Sequence, residues 1–311
     1  MRVTSNTFPN TLREQLLRLN QRQSRLQSQA ATGQLLALPE DNPAAMRRVL
    51  DMQAEAGAVG QYQSNVARHQ ELATATYSSL KALRSLVDRA GEIATLAGGI
   101  QPGRDLKLYA TEVNGLVEQA LQIANSQNRG DYLFAGTKSD QAAFTATRDT
   151  NGQITTIAYQ GNTDIPESEV STQLEMSAQI PGANSSGAGV RGLMSDSRSG
   201  ADLFQHLLSL RDRLEAGDAT AVSANSLDEL KSDEEHLLVH IGANGAVQAR
   251  LETTESLLKD RSASIEVLVS KEADADLSQT LVRLSEIQTA YQAALQSGGS
   301  ILNRSLLDYL R

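Results

Sequence analysis

The sequence predicts a mainly α protein with a small β insert: a long antiparallel helical rod whose terminal helices pair as a coiled coil. Three observations carry this. Leucines at both ends of the chain recur at the spacing of helices that pack along helices. The stretches between them stay helical over lengths greater than a compact domain is wide. The aromatic residues gather in one short segment near the middle.

At the C-terminal end, Leu277, Leu281, Leu284, Tyr291, Leu295 and Leu302 fall on one line at steps of four, three, seven, four and seven. A stripe this narrow needs a partner. Ser305-Leu306-Leu307-Asp308-Tyr309-Leu310-Arg311 stays apolar to the last turn, where a solvated tail is usual. The stretch, Leu306 and Leu307 included, reads as an assembly surface that is marginal alone. The N-terminal end mirrors it. From Asn10 to Gly33, Leu12, Leu16, Leu19 and Leu26 stand at steps of four, three and seven, with Gln23 and Ala30 filling the line. Five arginines against Glu14 over residues 1–34 read as a solvated helix face.

Composition excludes several classes. Over 311 residues the net charge is −9, so there is no basic field to displace counterions from nucleic acid. The chain has no Cys, hence no disulfide frame, thiolate metal site or cysteine nucleophile. Residues 1–7 are polar, so no cleaved secretory signal is expected. No run approaches the ~18 apolar residues of a membrane span.

Gly33 and Pro39 break the first helix, and Asn42-Pro43 restarts it as a cap followed by proline at the first helical position. From Ala44 to about Ala97 the pattern is helical, a run of about 75–80 Å at ~1.5 Å per residue. Gly98-Gly99 and Pro102-Gly103 make a turn and Asp105 caps the return. Leu106, Tyr109, Val113, Leu116, Val117, Ala120, Leu121 and Ala124 then trace a broad apolar face to about Asn128. The texture changes at Gly130. Tyr132, Phe134, Phe144 and Tyr159 lie within thirty residues, and Asn151-Gly152 between two alternating runs signals a hairpin. Residues 131–182 are expected to form a small antiparallel β insert, and the Gly- and Ser-rich 183–201 a loop. Helix returns at Asp202 and stops at Gly217. A second long helical tract runs from about Thr220 to Ser270, interrupted around Gly242 and Gly245, and reaches the C-terminal stretch almost unbroken. The expected domains are therefore a terminal coiled-coil region (1–40 and 271–311), a helical rod domain (41–130 and 201–270) and an outer β-rich domain (131–200).

The sequence carries no catalytic constellation. His236 and His240 share a helix face in Glu234-Glu235-His236-Leu237-Leu238-Val239-His240. A metalloprotease zinc site places Glu directly after the first His, where this chain has Leu237, so the pair reads as structural. His69 and His206 stand alone on helices. Residues 182–189 lack the Gly-Lys-Ser/Thr ending of a phosphate loop, and no Gly-x-Ser-x-Gly elbow is present. Asp274 and Asp276 precede a helix, where carboxylates favour its positive end. No enzyme activity, cofactor or metal is expected.

Three stretches together resemble the flagellin superfamily, and within it the hook-filament junction members. They are the opening from Met1-Arg2-Val3-Thr4 through Ala31-Thr32-Gly33 to Pro39-Glu40-Asp41-Asn42-Pro43; the run Gly130-Asp131-Tyr132-Leu133-Phe134-Ala135-Gly136, similar to a "G-x-Y-x-F-x-G" lead-in to a β domain, with Phe144 after it; and the ending from Asp274 through Tyr291 and Leu295 to Leu310. Ala31 and Asn42 depart from the family pattern. The resemblance implies a structural subunit at the junction between hook and filament, or alternatively a flagellin-like filament subunit. It implies an extracellular location on the bacterial flagellum, reached through the flagellar type III export apparatus with an export chaperone. The implied partners are identical subunits in a ring, hook-associated protein 1 and flagellin, with no nucleic acid and no membrane.

Overall fold

A computed structural model describes residues 7–36, 40, 42–99 and 104–309; for residues 7–9, 104, 105 and 301–309 it describes the helical backbone alone. The expected turns at Pro39 and at Pro102-Gly103 lie outside the described residues. The elements are α1 (Thr7–Thr32), α2 (Pro43–Gly98), α3 (Arg104–Ala124), nine short strands, α4 (Leu203–Glu215), α5 (Ala219–Ala221), α6 (Leu227–Ala273) and α7 (Leu277–Tyr309). The fold is mainly α with a small β insert, as the sequence predicts.

The chain divides into two compact units, residues 1–58 with 261–311 and residues 59–260, and the boundary falls inside α2 and α6.

In the unit 59–260, α3 presents Leu106, Ala110, Val113, Val117, Ala120 and Ala124, at alternating steps of four and three, to a core shared with Leu80, Leu83, Val87 and Ile93 of α2 and Leu207, Leu210 and Leu214 of α4. The sequence-predicted helix end at Asn128 falls four residues late. After Ala124, the Asn125 side chain accepts the Phe144 N–H and donates to the Phe144 carbonyl, both at 2.9 Å, an amide pairing that draws the chain out of the helix. β1 (Gln127–Asn128) then pairs with β2 (Asp131–Tyr132).

The Gly130-to-Gly136 run has a physical reason. Both glycines adopt positive φ, +95° and +68°, which side chains rarely tolerate. Between them Phe134 is fully buried. The Phe144 ring lies 5.1 Å from the rings of both Tyr159 and Phe204, joining the β insert to α4. β3 (Phe144–Arg148) and β4 (Ile154–Tyr159) form the hairpin expected at Asn151-Gly152, where Gly152 has φ +84°. β5 (Ser168–Ser171) and β6 (Leu174–Met176) form a second hairpin. It is pinned to α2 by Tyr62, Asn65 and His69, spaced at three and four. Asn65 Nδ2 donates to the Glu169 carbonyl at 2.8 Å, and His69 Nε2 lies 2.6 Å from Ser168 Oγ.

Two expectations are corrected. Residues 183–201 are not a plain loop. β7 (Ala183–Asn184), β8 (Ser195–Asp196) and β9 (Ala201–Asp202) make a three-stranded sheet, held by buried side chains too short in sequence to show alternation. Asn184 donates to the carbonyls of Ala188 and Val190, and Asp196 accepts from Arg198 and from the Gly192 N–H. Nor does α6 break at Gly242 and Gly245. It runs unbroken for 47 residues, because a helical glycine costs only ~1 kcal/mol against alanine.

Candidate assembly surface of the terminal helices

The unit 1–58 with 261–311 is built by two antiparallel helix pairs joined at one point. In the first pair, the start of α2 meets the end of α6. Ala45, Val49 and Ile265 are buried there, and Arg48 binds Glu272 through two hydrogen bonds of 3.1 and 2.8 Å. Asn42 caps α2 as predicted, its side chain accepting the Ala45 N–H at 3.1 Å. Asp276 caps α7 likewise, accepting the Gln279 N–H at 3.0 Å.

The join is a backbone clasp. Gly33, at φ +72°, ends α1 in the left-handed conformation that glycine favours. The chain then lies antiparallel against the α6–α7 junction. The Leu35 N–H donates to the Ala273 carbonyl at 2.7 Å, and the Ala275 N–H donates to the Gly33 carbonyl at 2.8 Å. Gln29 Nε2 reaches across to the Leu35 carbonyl at 3.2 Å.

From this clasp α1 and α7 run back along each other. On α1 the seam positions are Leu12, Leu16, Leu19, Gln23, Leu26 and Ala30, with Gln29 buried beside them; on α7 they are Thr280, Leu284, Ile287, Tyr291, Ala294 and Gly298. Both sets step by four and three throughout, the repeat of a coiled-coil seam. The register sets Gln34 beside Asp274 at one end and Leu12 over Gly298 at the other, where any Cβ would collide with the Leu12 side chain.

The predicted surface residues therefore part into three groups. Leu12, Leu16, Leu19 and Leu26 lie in the seam, as do Leu284 and Tyr291. Leu277, Leu281 and Leu295 stay 48%, 56% and 48% exposed. Along a 100° helical step they follow one another on the flank of the seam. The side chains of Leu302, Leu306 and Leu307 lie outside the described residues. Sequence reading missed Thr280, Ile287, Ala294 and Gly298, which share the seam but are mostly too small or polar to register in a leucine count.

The histidine pair is a fastener. The Nε2 atoms of His236 and His240 lie 2.8 and 3.1 Å from the Gly192 carbonyl, which can only accept, so both donate to it. His236 Nδ1 lies 3.1 Å from Ser199 Oγ. Gly192 leaves no room for a side chain, since a Cβ would run into Ala183 and Asn184. Burial, then His236 and Arg191, push the His240 pKa down to about 4. His206 is tied to buried Asp233 at 2.8 Å. Burial alone would lower its pKa, but the Asp233 carboxylate together with Glu229 and Asp202 raises it. Among the described residues, no three His, Cys, Asp or Glu side chains are grouped to hold a metal ion, and no helix is long and apolar enough to cross a membrane.

Comparison with known proteins follows the same lines. The family described as the bacterial flagellin N-terminal helical region matches residues 3–139. No curated protein matches the chain in sequence. Among solved structures, the chain is similar to a flagellar hook-associated protein of Vibrio parahaemolyticus at 19% identity, covering 75% of this chain and all of that one with a TM-score of 0.63. It is similar to FlgL of Bacillus cereus at 18% identity, covering 71% of this chain and 99% of that one with a TM-score of 0.56. The flagellar junction protein FlgL of Legionella pneumophila matches at 16% identity, over 72% of this chain and all of that one, with a TM-score of 0.53. Residues 3–139 thus match the bacterial flagellin N-terminal helical region, and the fold of the chain is similar to that of flagellar hook-associated proteins.

Proposed function

We propose that the chain is a structural subunit of the bacterial flagellum that forms the junction between hook and filament. The observation that carries this reading is an imbalance between the two terminal helices. The α1 leucine stripe is covered by α7 within the chain, whereas α7 keeps Leu277, Leu281 and Leu295 exposed beside the same seam. An apolar edge on a two-helix coil is stabilised when a further helix covers it, at ~1.5–3 kcal/mol for each leucine fully buried. Neighbouring copies in a ring supply such helices, so ordering of the terminal region and assembly draw on the same free energy.

In this reading residues 1–40 and 271–311 form the assembly region, with Leu302, Leu306 and Leu307 extending the edge. Residues 41–130 and 201–270 form the helical middle, and 131–200 face outward. Hook-associated protein 1 and flagellin are the neighbours on either side. The subunit works outside the cell, reaching its place through the flagellar export apparatus with a chaperone. Its work is mechanical, not enzymatic. The match of residues 3–139 to the flagellin region keeps a second reading in view, a filament subunit, which seeded self-polymerisation would reveal.

Deletion of the gene, followed by electron microscopy and a secretion assay, tests the proposal. Bare hooks with flagellin shed into the medium are expected. Intact filaments would refute it.

A further inference from the structure

The chain contains three Asn-Gly pairs, Asn114-Gly115, Asn151-Gly152 and Asn244-Gly245. The side-chain amide of asparagine is among the thermally labile groups of a protein. It is lost fastest where the next backbone nitrogen reaches its Cγ, and glycine, without a Cβ, leaves that nitrogen uncrowded. The same dipeptide meets different surroundings at each of its three places.

Two of the pairs are locked. Asn114 and Gly115 lie within α3, and Asn244 and Gly245 within α6, where each backbone N–H is held by the carbonyl four residues back. Asn114 Oδ1 accepts from Arg211 at 3.4 Å; Asn244 is buried, and its Oδ1 accepts from Gln248 Nε2 at 2.8 Å. Swinging the following nitrogen onto Cγ would break either helix. The third pair stands at the tip of the β3–β4 hairpin, where residues 149–152 are all exposed and no atom crowds the place a Cβ on Gly152 would occupy. The Gly152 N–H is held only by the Asp149 carbonyl, at 3.1 Å. The main restraint on the turn is the Asp149 carboxylate, which accepts from the Asn151 N–H at 2.8 Å, from the Gln153 N–H at 2.9 Å and from Asn151 Nδ2 at 3.3 Å.

We infer that Asn151 is a site of spontaneous covalent modification, converted by the neighbouring Gly152 nitrogen and water into an aspartyl or isoaspartyl residue. The Gly152 nitrogen, its proton passed to hydroxide, attacks Asn151 Cγ; the Cγ–Nδ2 bond breaks, and the amide nitrogen leaves as ammonia with a proton taken from water. Water then opens the five-membered imide. Addition at Cγ breaks the bond from Cγ to the Gly152 nitrogen and gives the aspartyl product. Addition at the main-chain carbonyl carbon breaks that carbon's bond to the nitrogen instead and gives the isoaspartyl product, whose chain runs through the former side chain. Either product sets a carboxylate against Asp149 where an amide N–H had donated, so attraction becomes repulsion and the turn gains one negative charge. The hairpin keeps its other ties, Arg148 to Glu118 at 2.8 Å and Arg211 to the Ile154 carbonyl at 2.6 Å. The inference is independent of the assembly role of the terminal helices.

Peptide mass spectrometry of the full chain, held folded in mildly alkaline buffer and sampled over time, tests it, with an isoaspartyl methyltransferase assay to detect the second product. Conversion at Asn151 is expected to run at least about tenfold ahead of Asn114 and Asn244, whose helices must open first. In denaturant the three pairs should convert at similar rates. Asp149→Ala changes an exposed side chain and frees the turn, so it should speed conversion at Asn151 by roughly threefold or more. Equal conversion at the three pairs in the folded chain, or an Asn151 amide that outlasts the two helical ones, would overturn the site. An unchanged rate in Asp149→Ala would overturn the restraining role of its carboxylate.

Discussion

The core around α2, α3 and α4 and the seam between α1 and α7 are both built from helices with apolar residues at steps of three and four, yet they bury them very differently. In the core, Leu80, Leu83, Val113, Phe134 and Leu207 have no exposed surface. In the seam, no described leucine is buried; the buried positions of α1 and α7 are Gln29, Thr280 and Gly298. A helix lying among several others is covered over a broad face, while a helix with one partner is covered along a line and keeps its flanks in water. The leucines on the α7 flank are what a second partner would cover. The same periodicity thus specifies a finished interior in one region and an unfinished one in the other.

Substitutions can break this contrast. The largest effect is expected in the core: Phe134→Ala should cost ~3–5 kcal/mol by denaturant unfolding, since a fully buried ring leaves a cavity. A loss there as small as that of a seam variant would mean the core is not closed. Acid should act next. His240, neutral and buried with its pKa near 4, takes up a proton more readily in the unfolded chain, whose pKa is about 6.5. Its contribution is therefore complete above pH ~6.5 and falls away as pH drops toward 4, by about 3 kcal/mol at most. His240→Gln, which keeps a donor for the Gly192 carbonyl, should flatten that part of the stability profile; an unchanged profile would assign the acid sensitivity to other groups.

In the seam, Leu16→Ala should cost only ~1–2 kcal/mol, because a half-covered side chain has less to lose. Gly298→Leu should make residues near Leu12 more accessible to protease through the collision at that crossing. The smallest effect has the opposite sign. Gly245→Ala adds a methyl group to open space on α6 and should raise stability by ~0.5–1 kcal/mol in thermal unfolding of the free subunit.

The sequence made the α1 stripe legible because each of its leucines faces one partner, so a count of leucines is a count of contacts. On α7 the same count mixed two populations. Leu284 and Tyr291 belong to the seam, while Leu277, Leu281 and Leu295 flank it, and the seam is completed by Thr280, Ala294 and Gly298, which carry little hydrophobic signal. The caps Asn42 and Asp276 were readable because capping is local chemistry. The clasp at Gly33, Leu35, Ala273 and Ala275 was not, because backbone hydrogen bonds leave no mark on residue type. The β7–β9 sheet was hidden for a related reason. Strands of two residues cannot alternate, and Asn184, Asp196 and Gly192 acquire meaning only once they converge.

The most direct test of the central claim compares Leu281→Asp, on the exposed flank of α7, with Leu284→Asp, in the seam, by unfolding of the free subunit and by incorporation into purified flagella. Leu281→Asp should unfold like the wild type and be absent from the assembly, whereas Leu284→Asp should lose both stability and incorporation. Incorporation of Leu281→Asp at wild-type levels would contradict the assignment of that flank as the surface that neighbouring subunits cover.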